Sequence, residues 1–244
     1  MAERRHFIIH PDRLSGNRFV LNGDEGHHAS RVTRIRIGDK ITLLDTAGPA
    51  YAGVVEEVRQ DRIEGRIIEK IEDYHEPATF LHLGIGLLKG SKMDAVIEKC
   101  TELGVSTISV LRLNNSVKRN VNLERLNRIA LSAMKQCGRG LMPEVSASDL
   151  SQWIHQYAGG EKFVMDESAE SESLISHLAS MEKVAQIQLV VGPEGGFSSN
   201  ELSSLLTAGF RRASIGPRRL RAETAAITSV AIAEQMAERC NGRG

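Results

Sequence analysis

The feature that most constrains this chain is a change of hydrophobic period near residue 75. Beyond it, five short apolar runs at residues 79–88, 107–111, 162–166, 187–191 and 212–215 recur between stretches of helical spacing. Runs of strand length that alternate with helices pack as a mostly parallel sheet covered on both faces, which defines an α/β domain. Met93, Val96, Ile97, Cys100 and Leu103 follow helical spacing up to Gly104, a natural C-terminal stop. Leu123, Leu126, Ala130, Ala133 and Cys137 repeat that spacing before Gly138-Arg139-Gly140 breaks it. A last helix is expected over residues 222–239, rich in small residues (Ala225, Ala226, Ala231, Ala233, Ala237) that allow close packing on the domain or on a second subunit.

Before the change the pattern is that of strands. Residues 6–10, 18–22, 40–45, 52–59 and 62–71 are short β-branched runs separated by Ser15-Gly16-Asn17, Gly38-Asp39 and Ala47-Gly48-Pro49. Ile63, Gly65 and Ile67 alternate with Glu64 and Arg66, the period of a half-buried strand. A small β-barrel is expected, interrupted by one helix over residues 25–34, capped by Asp24, with Ala29 and Val32 facing inward. Asp73-Tyr74-His75-Glu76-Pro77 reads as the linker, which divides the chain into domains 1–75 and 76–244.

Composition limits the function classes. With 244 residues the chain is long enough for a substantial core, and no apolar run approaches the length of a membrane span. The residues after Met1 contain no apolar signal segment, so a cytoplasmic protein is expected. Three widely spaced cysteines, Cys100, Cys137 and Cys240, suit neither a disulfide framework nor a zinc site and read as small buried residues, and no metal is expected. Basic and acidic residues balance at 31 each, so any nucleic-acid reading must rest on local clusters.

Two segments carry the chemistry. From Ile187 to Val191 a buried strand enters Gly192-Pro193-Glu194-Gly195-Gly196, and Ser198 with Glu201 has the spacing of a capping box that opens a helix. Glycines there let a ligand approach the backbone, although the same residues also suit a plain strand-to-helix turn. Ser214-Ile215-Gly216-Pro217 repeats the design, with Arg218, Arg219 and Arg221 crowding the turn as ligand contacts or as a surface ion-pair cluster. Two such turns on one edge of a parallel sheet mark the place where ligands collect. Gly84-Ile85-Gly86 and Gly90 lack the spacing and the downstream acid of a dinucleotide fingerprint. In the first domain Arg31, Arg34 and Arg36 with His27 and His28 form a basic cluster able to meet phosphates, or a solvated helix face balanced by Asp24 and Glu25.

Several ordered segments together resemble one family: Lys89-Gly90-Ser91-Lys92-Met93-Asp94, Lys99 to Val105, Gln136-Cys137-Gly138-Arg139, Pro143-Glu144-Val145, Gly192 to Ser198 and Gly216 to Ala225. They are similar to the RsmE family of 16S ribosomal RNA uridine-N3 methyltransferases, in the SPOUT superfamily. Arg5, Phe7, His27-His28, Arg31-Val32 and Gly38-Asp39 resemble that family's N-terminal domain. The resemblance implies a C-terminal SPOUT-type α/β domain with a deep trefoil knot, a PUA-like N-terminal β-barrel that helps hold RNA, and a homodimer. It also implies S-adenosylmethionine (AdoMet) as cofactor, held by Leu88, Gly192, Pro193, Glu194, Gly195, Gly196, Ile215, Gly216, Leu220 and Arg221. RNA contacts are expected at Arg5, His28, Arg31, Arg34, Arg36 and Arg139. The chain departs from the family at Asn114-Asn115-Ser116, where an arginine usually precedes the serine, at Arg219, where an apolar residue is usual, and at Ala222, where threonine is common.

Methylation at uridine N3 requires loss of the imide proton and stabilisation of charge on the flanking carbonyl oxygens. Arg218 and Arg221 suit that task as fixed cationic donors, with dimer ion pairing as the alternative. Glu194 either accepts the proton or braces its own loop. A non-catalytic RNA-binding protein and an NAD-dependent oxidoreductase remain open on the sequence pattern alone.

Overall fold

The computed structural model describes residues 5–116, 120–157, 159–167 and 172–242. It divides into two compact units, Met1–Glu76 with Met134–Met142, and Pro77–Ala133 with Pro143–Gly244. The expected division had no place for the return of residues 134–142 to the first unit.

The first unit is a six-stranded sheet. Its strands are β1 (His6–Ile8), β2 (Leu14–Ser15), β3 (Arg18–Leu21), β4 (Lys40–Leu44), β5 (Ala50–Arg59) and β6 (Arg62–Ile71), in the order β1-β4-β5-β6-β3-β2. All neighbours are antiparallel except β1 and β4. Two register shifts in the β5–β6 pair, at Ala52/Gly53 and Val55/Glu57, bend the long strands. Phe7, Phe19, Leu21, Ile41, Leu43, Val55 and Ile63 form the core of this unit.

The expected helix is present in altered form. Helix α1 (Gly23–His27) starts at Asn22 and continues as a π-wound turn over His28–Val32. Asp24 therefore lies inside the first turn and does not cap it. Ala29 is buried, but Val32 is 63% exposed, contrary to the expected inward face. The cause is the winding: a π turn holds more residues per revolution, so a spacing of three no longer returns to one face.

In the second unit the strands are β7 (Phe80–Gly86), β8 (Thr107–Arg112), β9 (Glu144–Asp149), β10 (Glu161–Met165), β11 (Glu172–Ser173), β12 (Gln186–Val191) and β13 (Arg211–Ser214). They form one sheet in the order β11-β13-β10-β12-β7-β8-β9 with every pair parallel. The central strands are buried almost end to end, as burial on both faces requires. The helices are α2 (Ser91–Glu102), α3 (Leu123–Cys137), α4 (Leu150–Trp153), α5 (Leu174–Ala179), α6 (Ser199–Thr207) and α7 (Ala222–Cys240). Helices α2 and α5 pack on α7, which lies against β7 and β12. Leu150 and Trp153 of α4 and Leu205 of α6 join a second cluster with Leu111, Val164, Val190 and Phe210.

The small residues of α7 have a local use. Ala226, Ala233 and Ala237 of the stripe are buried within this unit, with Ala222 beside them, whereas Ala225 and Ala231 are only half-buried. The cysteines are all free; Cys100 is fully buried, whereas Cys137 and Cys240 are only half-buried. Among the described residues no helix is long and apolar enough to cross a membrane.

Candidate active site

A cavity of about 620 Å³ opens at the carboxyl ends of β10, β12 and β13. That volume is within the range of sites for drug-sized ligands. Parallel strands put their C-termini on one edge, so the turns that leave them converge. The turn after β12 supplies Gly192, Pro193, Glu194, Gly195 and Gly196, and the turn after β13 supplies Ile215, Gly216, Arg218, Leu220 and Arg221. Every residue expected to bind the cofactor lines this space except Leu88, which is buried beside β7 and outside the lining.

Close approach builds the first wall. A Cβ on Gly86 would lie 2.6 Å from Pro193, and one on Gly84 would lie 2.7 Å from the Trp153 ring. The two glycines that suggested a dinucleotide loop therefore serve to let Pro193 and Trp153 sit on β7. Gly196 donates its N–H to Pro193 O at 2.9 Å, which closes the turn. Ser198 then caps α6 reciprocally with Glu201, as the sequence spacing predicts.

The glycines also test whether the wall fits a ligand. Gly196 and Gly216 have φ of +68° and +128°, and an added Cβ at either would meet nothing within 4 Å. Both belong to the cavity lining. A backbone in the left-handed region bordering open space is the cradle that a ligand pressed against main chain requires.

Charge is divided unevenly around the rim. Glu194 accepts from Lys92 Nζ at 2.9 Å, and the same ammonium lies 3.9 Å from Glu223. The Lys92 ammonium holds the Glu194 carboxyl below its ordinary value, against the opposite push of burial. Glu194 is thereby a paired carboxylate whose charged form the ammonium favours. Arg219 pairs with Glu167 at 3.3 Å, whereas Arg218 and Arg221 are exposed and carry no ion pair among the described residues.

Sequence reasoning missed one wall entirely. Met165, Asp166 and Glu167, at the end of β10, line the cavity between the two glycine turns, and Asp166 pairs with Arg212 at 3.2 Å. Lys92, Phe197 and Leu202 were also missed as lining residues. The strand at residues 162–166 was legible, but only the strand order places its end between the others.

The expected RNA contacts belong to the first unit and do not form one set. Arg31, Arg34 and Arg36 are exposed and carry no ion pair among the described residues. Glu25, which would balance them in the alternative reading of a solvated helix face, accepts from Lys135 at 2.7 and 2.8 Å and from Ile8 N at 3.2 Å. Arg5 pairs with Asp39 at 2.9 Å, and His28 is half-buried with its ring edge toward Phe7. Arg139 must be corrected: it is 3% exposed and bound to Glu76, with its shortest contact at 2.6 Å. Breaking a buried pair of this kind to reach RNA would take the counter-ion from a buried carboxylate, so the pair, with the Leu141 N–H to Glu76 at 2.9 Å, ties residues 139–141 to Glu76.

Together these features define an α/β protein with a cavity at the carboxyl edge of a parallel sheet, bordered by Arg218 and Arg221, which have no ion pair among the described residues. Comparison with known proteins makes that class specific. Residues 75–234 match the model described as RNA methyltransferase domain, and residues 21–68 match that described as RNA methyltransferase PUA domain. The Synechocystis protein named ribosomal RNA small subunit methyltransferase E is 30% identical over 92% of this chain and 75% of its own length. A Buchnera aphidicola protein of the same name is 30% identical over 84% of this chain and 85% of its own. The crystal structure of the Neisseria gonorrhoeae enzyme of that name, bound to S-adenosyl methionine, matches with a TM-score of 0.84 at 26% identity, over 96% of this chain and 98% of that one. A Legionella pneumophila structure holding the bound cofactor SAM matches with a TM-score of 0.81 at 27% identity, over 95% and 97%. The chain belongs to the ribosomal RNA small subunit methyltransferase E family, RsmE.

Proposed function

We propose that this chain binds AdoMet in the glycine-walled cavity and methylates N3 of a uridine in 16S ribosomal RNA. One observation carries the reading: two glycine turns leave parallel strands on either side of β10 to wall a single cavity, with Arg218 and Arg221 exposed in its lining and without ion pairs among the described residues. The names of the relatives and the SAM-bound structures support the cofactor and the substrate.

Gly192, Pro193, Gly195, Gly196, Ile215, Gly216 and Leu220 would hold the cofactor through backbone and apolar contact. AdoMet supplies an activated methyl group on a sulfonium, so the protein's part is alignment and charge. In-line placement of the uridine N3 can contribute about 7 to 11 kcal/mol at best. Arg221 and Arg218 hold the uracil carbonyl oxygens as negative charge develops, where fixed cations need no reorganisation. The target base must be unpaired or extruded, because pairing buries N3.

The rest of the reading follows the family. The second unit is the SPOUT methyltransferase domain, and the place of β12 between β7 and β10, both earlier in the chain, supports a trefoil knot. The first unit is the PUA-like barrel that holds RNA through Arg31, Arg34 and Arg36. The protein works in the cytoplasm as a homodimer, on RNA of the small ribosomal subunit. Mass spectrometry of 16S RNA from a strain lacking the gene tests the central point. One methyluridine should disappear and return on complementation; an unchanged methylation pattern would overturn the reading.

A further inference from the structure

We infer that Asn115 is a positioning residue for the cofactor loop, whose side-chain amide presets the Gly195-Gly196 backbone before ligand arrives. This rests on the reading of the cavity as an AdoMet site. Asn115 Nδ2 donates to Gly195 O at 3.0 Å and to Gly196 O at 3.2 Å. Asn114 fastens the same loop further along, through its N–H to Glu201 Oε1 at 2.8 Å and its Nδ2 to Ser198 Oγ at 3.1 Å. Neither asparagine lines the cavity. Both therefore act on the loop from behind.

The physical need comes from the two glycines. A Gly-Gly pair is the most mobile dipeptide a loop can contain, and the freedom that lets it meet a ligand also costs affinity when binding must freeze it. Every peptide bond among the described residues is trans, so a carbonyl and the next N–H point to opposite sides. Fixing Gly195 O on Asn115 turns Gly196 N–H the other way, onto Pro193 O at 2.9 Å. Fixing Gly196 O likewise turns Phe197 N–H away from Asn115. One side-chain amide thus sets two successive peptide planes at the wall of the cavity, and the rotations available to a free Gly-Gly pair are removed before binding.

Asparagine-to-aspartate exchange separates this role from simple packing. Aspartate has the same shape but replaces the N–H donors with oxygens that face two carbonyl oxygens. With the full chain, AdoMet titration calorimetry on Asn115→Ala should show affinity weakened about five- to tenfold, as loss of two modest hydrogen bonds allows. Asn115→Asp should be weaker still, by more than about tenfold. The melting temperature without ligand should change by less than about 2 °C in both. KM for RNA should stay at the wild-type value. Wild-type AdoMet affinity in Asn115→Asp would overturn the inference, as would a fall in ligand-free melting that tracks the loss of binding. If the wild type itself fails to bind AdoMet, the reading of the cavity falls first and takes this inference with it.

Discussion

The two glycine turns wall one cavity and leave parallel strands of one sheet, yet they are built in opposite ways. The turn after β12 is tied on every side: to Gly86 through Pro193, to Lys92 through Glu194, to Asn115 through two carbonyls, and to α6 through the Ser198–Glu201 cap. The turn after β13 has one exposed ion pair, Arg219 with Glu167, and on either side of it Arg218 and Arg221 are exposed and without ion pairs among the described residues. The difference matches what each turn must meet. A cofactor of constant shape is bound best by a backbone already in place, since no ordering is left to offset the favourable interactions. A cation that must reach an incoming substrate is most useful unpaired, because a partner would have to be displaced first.

The largest expected effect is at the free turn. Arg221→Ala should lower single-turnover methylation at saturating RNA and AdoMet by on the order of a hundredfold, if Arg221 stabilises developing charge. Melting temperature should stay near wild type, because Arg221 makes no ion pair among the described residues to lose. A variant that loses stability but keeps its single-turnover rate would show that the free turn is structural after all, and the contrast would collapse.

Next comes the braced turn. Gly86→Ala places a methyl group 2.6 Å from Pro193. Either β7 or the turn must shift, at a cost of about 1 to 3 kcal/mol of stability. Calorimetry should also show weakened AdoMet binding. A variant that unfolds at the wild-type denaturant midpoint would mean that the turn is not held against β7 as tightly as the distance implies.

The same contrast between paired and free cations recurs in the first unit, where it predicts a smaller change. Arg5 and Arg139 have carboxylate partners, while Arg31 and Arg34 have none among the described residues. Changing Arg31 and Arg34 together to Ala should reduce the salt dependence of RNA binding by a slope of roughly 0.7 to 0.9 for each phosphate left unneutralised. AdoMet affinity should not move. An unchanged slope would remove these arginines from the RNA surface.

What could be read in advance divides along physical lines. The continuous apolar runs of β7, β8 and β12 were legible because strands buried on both faces need unbroken hydrophobicity. The capping box at Ser198 and Glu201 was legible because its partners lie three residues apart. Strand β9 was not, since it is a sheet edge of serine and alanine in which only Val145 is buried. The pairing of Lys92 escaped notice because Glu194 lies 102 residues away, and the burial of Arg139 because Glu76 lies 63 away. Asn114-Asn115 looked like the loss of an arginine, when in the folded chain both side chains donate to the loop that walls the cavity. Such long-range pairs leave no trace in local spacing.

The smallest predicted effect concerns pH and the Lys92–Glu194 tie. The folded Glu194 carboxyl lies below its ordinary 4.5 because the Lys92 ammonium favours the charged form. A depressed carboxyl contributes stability that is fully present above the unfolded value and is lost as pH falls through the folded value. The contribution should therefore hold down to about pH 5 and fade only in more acid solution. Both side chains are about one-third exposed, at 34% and 29%, so solvent screening limits the tie to about 1 kcal/mol or less. Glu194→Gln should accordingly lower denaturant stability by that amount at pH 7 and by progressively less as pH falls through the depressed folded value. If Glu194 were instead the proton acceptor, the variant would show a greatly reduced methylation rate at pH 7 with stability unchanged. A rate loss far larger than the loss of AdoMet affinity would reassign Glu194 from the brace to the chemistry, and with it the division between the two turns.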